Sequence, residues 1–153
     1  ERTSEQDSME RIKELARQLA ERFGTADPFA LCAALDITVL PVGLPPGVRG
    51  FYGCAHGACI LYLNGALEEN ERRTVCAHEL GHALLHEGHN ALFLRERTDF
   101  VMERYEREAD LFAGYLLLDG ETVEECLRNG WTSEQAAAFT GLPAHIVEYC
   151  MTH

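Results

Sequence analysis

The stretch Thr74–Asn90, "TVCAHELGHALLHEGHN", decides how this chain is read. It looks like one helix, and three of its four histidines, His78, His82 and His86, recur every four residues. On an α-helix, positions four apart are offset by about 40° and rise about 6 Å, so they share a face. His78 and His82 therefore project side by side, where two imidazole nitrogens can converge on one ion. Glu79 is turned about 100° from His78, close enough to reach the open side of that ion without ligating it. This is the physical content of H-E-x-x-H: two ligands, with a base beside an open coordination position. Leu80, Ala83, Leu84 and Leu85 supply the apolar packing such a helix needs.

A catalytic zinc site ordinarily has three protein ligands, so a third must be found. His86 is turned about 80° from His78 and leaves the ligand face. A third histidine six residues after His82 is excluded, because that position is Gly88. The remaining solution is an acid on a second helix, and "YEREADLFA", Tyr105–Ala113, offers one. Glu106 and Asp110 share a face, while Ala109, Phe112, Ala113 and Leu116 form a stripe suited to packing on the first helix. Glu106 is assigned as the third metal ligand. Asp110 is assigned as the outer acceptor that orients the ring of His78 through its second N–H. Glu108, turned about 200° from Glu106, reads as a solvated charge.

"AHELGHALLH" followed by "YEREADLFAGYLLL" closely resembles the ImmA/IrrE family of zinc metallopeptidases. "RGFYGCAHGACILYLN" is similar to that family's hairpin, and "NALFL" to its inter-helix loop. The likeness covers about Arg49 to Leu118. It departs at Leu118-Asp119, where the family often has Met-Pro; this touches a helix end and not the chemistry. Carried over residue by residue, the resemblance places His78, His82 and Glu106 on the metal and Glu79 on the catalytic acid. It implies a zinc (Zn2+) endopeptidase that cleaves a helix-turn-helix transcriptional repressor, in mobile-element or stress-response regulation. The alternative is a non-hydrolytic, metal-stabilised module that binds peptide or repressor. Glu79 favours hydrolysis, since a pure binder has no use for a base there. Oxyanion donors remain open among Tyr52, Tyr105, Tyr149, His86 and His89.

The rest of the chain bounds this reading. Its 153 residues suit one domain with a small appendage. We expect a zincin-like metallopeptidase domain over 1–118 and a C-terminal helical, helix-turn-helix-like extension over 119–153, packed on the same domain. Only 13 Lys and Arg oppose 25 acids, a net charge of −12 that disfavours direct nucleic-acid binding and an anionic membrane surface. The six cysteines are scattered with no CxxC and read as reduced, which places the chain in the cytoplasm, Cys54 and Cys59 being the pair most apt to differ. No run of about 18 apolar residues is present.

The expected fold is α+β: a small, mostly antiparallel sheet of about three strands on a helical core, with the HExxH helix and a glutamate-bearing second helix. "ITVLPV" is one strand, and His56-Gly57 turns a hairpin whose second arm, "ACILYLN", is the favoured edge for a substrate peptide. The tail, "TSEQAAAFTGLPAHIVEYC", reads as a helix pair capped at Ser133. Its second helix lacks the basic and amide side chains of a DNA reader, so it serves as structural cover.

Overall fold

The computed structural model describes residues 3–86 and 99–153. Helix α1, Ser4–Phe23, starts in a capping box, with Thr3 Oγ1 accepting from Gln6 N–H and Gln6 returning the bond, and stops at Gly24 (φ 68°). Asp27 caps the short α2, Pro28–Ala34. Strand β1, Ile37–Val42, precedes the hairpin of β2, Gly50–Ala55, and β3, Ala58–Asn64. His56 and Gly57 both have positive φ, 53° and 80°, the geometry of a tight two-residue turn. Helix α3, Glu69–Leu85, follows, then α4, Asp99–Leu117, α5, Gly120–Arg128, α6, Ser133–Thr140, and α7, Ala144–Thr152. The α+β architecture and three strands are those expected.

The sheet itself is mixed, not mostly antiparallel. Its order is β1-β3-β2, with β3 parallel to β1 and antiparallel to β2. Pro41, which has no N–H to give a ladder, fits β1 as an edge. The chain reaches the far side of β3 through the loop after β1. Buried Asn64 pins that loop, its side-chain amide donating to the carbonyls of Leu44 and Val48. Because β3 is central, it has no edge for a substrate; that expectation passes to β2.

Leu61 and Leu63 from β3, Leu31 and Cys32 from α2, Ile12 and Ala16 from α1, and Leu80 and Phe112 from α3 and α4 fill one core. Ala136, Leu142, Ile146 and Val147 of the tail join it. The tail helices thus cover the core, and their cap is Thr132, not Ser133: Thr132 Oγ1 accepts from Gln135 N–H. The contact to α4 is close, since a Cβ at Gly114 would lie 2.6 Å from Cys150 Sγ and 2.9 Å from Ile146.

The cysteine expectation is corrected at one pair. Cys54 and Cys59 face each other across the hairpin, Cα atoms 4.1 Å apart, and form a disulfide. Cys32, Cys76, Cys126 and Cys150 are free. The cysteine argument for a reducing compartment is lost with that bond. Among the described residues, no helix is long and apolar enough to cross a membrane.

Candidate metal centre

The site lies where α3 and α4 cross. Gly81, inside the H-E-x-x-H run, makes the crossing close: a Cβ there would meet Phe112 Cδ1 at 3.0 Å and Ala109 Cα at 3.3 Å. Glu106 sits one turn before Ala109 and is carried onto the histidine face. Its two oxygens lie 2.8 Å from His78 Nε2 and 2.9 Å from His82 Nε2. The far side of the His78 ring is also held, with Nδ1 2.7 Å from Asp110 Oδ1. His78, Glu79 and His82 each bring a ligand atom within 4.8 Å of the others. Glu79 Oε2 stands 3.8 Å from His78 Nε2.

The ionisation of these groups follows from the crowding. Burial works against a charged His78, but Asp110 and Glu106 on its two nitrogens outweigh it and raise its pKa to about 10. Burial also pushes the Glu79 carboxyl up, to about 8, with Glu106 adding and His78 opposing. Glu106 moves the other way. Its own burial is overcome by hydrogen bonds from both imidazoles, and it stays ionised well below the ordinary carboxylate range. Burial lowers His82 despite its bond to Glu106.

Two imidazole nitrogens and one ionised carboxylate, converged and backed from behind, make a donor set suited to a divalent cation of zinc's type. Of these groups His78 and Glu106, together with Glu79 and Asp110, line a cleft of about 370 Å³ whose rim includes Gly47, Arg49, Gly50 and Pro143. β2, a strand at the edge of the sheet, therefore starts at the cleft.

Two residues behave differently from their sequence reading. Glu108 is not a solvated charge: its Oε1 lies 3.2 Å from His86 Nε2, and that bond is the main cause of its lowered pKa. His86 is off the ligand face, yet it is buried and its Nδ1 stands 3.0 Å from His82 Nδ1. The Tyr105 ring stacks on His86 at 4.0 Å. Of the other oxyanion candidates, Tyr52 is buried nearby and keeps its proton, the phenol pushed up to about 12 by burial, with Glu79 and Tyr105 adding. Tyr149 packs instead against His153 and Met9. His89 and the "NALFL" loop lie outside the described residues.

The sequence profile of the IrrE N-terminal-like domain, a peptidase family, matches residues 32–152. The chain belongs to the ImmA/IrrE family. An uncharacterized immunity region protein 2 of Bacillus phage phi105 is 36% identical over 135 residues, covering 88% of this chain and 85% of that protein. Metallopeptidase ImmA of Bacillus subtilis (strain 168) is 27% identical over 142 residues, covering 90% and 82%. As an ImmA/IrrE protein the chain is of the metallopeptidase class, and at the crossing of α3 and α4 it has a group of side chains that could hold a metal ion. The family match runs through the tail helices as well as the site.

Proposed function

We propose that the protein is a zinc-dependent endopeptidase in which His78, His82 and Glu106 hold the metal and Glu79 moves the proton. The observation that carries this is the convergence of both Nε2 atoms on the Glu106 carboxylate, with Glu79 beside them at the cleft. Glu106, not Glu79, is the third ligand, because it touches both imidazoles from a separate helix. Asp110 holds the His78 ring with Nε2 turned to Glu106, the orientation in which His78 would hold a metal. When bound, the zinc ion supplies a Lewis acid that polarises the scissile carbonyl and lowers the pKa of water.

Glu79 takes a proton onto its carboxylate from the attacking water and hands it to the leaving amide nitrogen. Its raised pKa, set by burial, suits a group that must both accept and return a proton near neutrality. The peptide lies extended along β2, an edge strand among the described residues, and reaches the cleft past Gly50 and Arg49.

The substrate is a helix-turn-helix repressor and the setting is a mobile element. Support for this is the family and the likeness to a phage immunity region protein. The metallopeptidase domain is residues 1–118, and 119–153 is a helical extension packed on it that contributes Pro143 to the cleft rim. The excess of acids argues that the partner is protein and not DNA or membrane.

The test is co-expression with the repressor of the same element. Wild type should convert it to two fragments, Glu79→Gln should hold zinc and leave it whole, and His82→Ala should lose the metal. Cleavage at the wild-type rate by Glu79→Gln would end this mechanism. An intact but tightly bound repressor with wild type would favour the non-hydrolytic module.

A further inference from the structure

Both imidazoles that face Glu106 have their second ring nitrogen occupied, but in different ways. His78 meets Asp110 directly, whereas His82 meets another imidazole, His86, whose far nitrogen then meets Glu108. We infer that His86 and Glu108 form a positioning pair that fixes the tautomer of His82 for metal binding through Nε2. This rests on the zinc centre proposed above.

The argument is one of hydrogen-bond polarity. A neutral imidazole carries one N–H and one lone pair. Two Nδ1 atoms 3.0 Å apart can share only one proton, so one ring donates and the other accepts. When zinc replaces the hydrogen bond that His82 Nε2 makes to Glu106 here, His82 must offer its lone pair at Nε2. Its proton must then sit on Nδ1, and His86 Nδ1 must accept it. The proton of His86 is then on Nε2, where the carboxylate Glu108 Oε1 is 3.2 Å away and can only accept. Glu108 has no proton to give at neutral pH, so the chain runs in one direction from Nε2 of His82 to the acid. Glu108 thus does for His82, through an intervening ring, what Asp110 does for His78 by contact.

The geometry is held. His86 has 4% of its side chain exposed and stacks on Tyr105, and its backbone N–H still donates to the His82 carbonyl at 2.9 Å. A buried ring with both nitrogens in polar contact costs more to misplace than a solvated one. Outer partners of metal-bound histidines typically change metal affinity about 10–100-fold when lost.

The experiment is zinc affinity by competition with a chromophoric chelator, with melting of the metal-free protein run alongside. His86→Phe keeps the ring against Tyr105 but has no acceptor, and should weaken zinc about 10–100-fold. His86→Asn restores an acceptor near the Nδ1 position and should recover most of that loss. Glu108→Leu, at a partly exposed position, should weaken zinc about tenfold, and it carries the test if His86→Phe does not fold. In zinc-loaded wild type, nitrogen-15 correlations should place the proton of His86 on Nε2. Zinc binding by folded His86→Phe within twofold of wild type would overturn the pairing, as would a His86 proton on Nδ1, or His86→Asn no better than His86→Phe. If wild type takes up no zinc, or His82→Ala binds it equally well, the centre itself falls and the pairing with it.

Discussion

Replacing Gly81 by alanine probes the contact on which the site depends. The added methyl would stand 3.0 and 3.2 Å from Phe112 Cδ1 and Cβ and 3.3 Å from Ala109 Cα. Backbone cannot swing aside as a side chain can, so α3 and α4 must part by a few tenths of an ångström. Overpacking of this kind costs about 1–3 kcal/mol, and alanine returns about 1 kcal/mol of helix propensity. The net loss is about 0–2 kcal/mol, a fall in melting temperature of at most about 8 °C for a chain of this size. The larger effect should be on the metal. Glu106 is three residues from Ala109, and its 2.8 and 2.9 Å approaches to the two imidazoles lengthen as the helices separate. Zinc affinity, measured by chelator competition, should fall about tenfold or more in a protein that is still folded. A variant that melts about 2–4 °C higher, the full propensity gain, with unchanged zinc affinity would refute the reasoning.

Two further outcomes follow from the site and the hairpin. In the metal-free protein the His78 pKa is raised from 6.5 to about 10, so its contribution to stability is complete below 6.5 and is lost as pH rises through about 10. The same proton competes with zinc for Nε2, so affinity should keep rising by up to about tenfold per pH unit between pH 7 and 9; a plateau above pH 7 would mean an ordinary imidazole. Closing the short Cys54–Cys59 loop, with a sequence separation of 5, stabilises by about 2 kcal/mol in the chain-entropy picture. The double change Cys54→Ala, Cys59→Ala should therefore lower the urea midpoint, and an unchanged midpoint would show that the bond contributes nothing.

What could be read in advance was whatever depends on one element's own periodicity. The i,i+4 spacing of His78 and His82, and of Glu106 and Asp110, fixes a face whatever the tertiary fold. The caps and stops at Asp27 and Gly24 are equally local. Strand order is not, because β1 and β3 pair across the whole β2 arm and nothing in "ITVLPV" records the direction of its neighbour. Glu108 was misplaced for a related reason: helical angle puts it opposite Glu106, but His86 ends α3 with non-helical φ −117° and ψ 45°, and its ring bridges to that side. The disulfide was within reach. A two-residue turn at His56-Gly57 pairs Ala55 with Ala58 and therefore Cys54 with Cys59.

The hydroxyl of Thr74, one turn ahead of His78, contacts the carbonyl of Thr140, and Asn70 donates to that of Phe139. Gly141 comes so near that a Cβ there would touch Thr74 Oγ1 at 2.8 Å. The last thirty-odd residues are thus bolted to the very helix that carries the histidines. Chopping the polypeptide after Leu118 would strip the outer wall from that helix, so a minimal peptidase fragment is not to be had by trimming from this end.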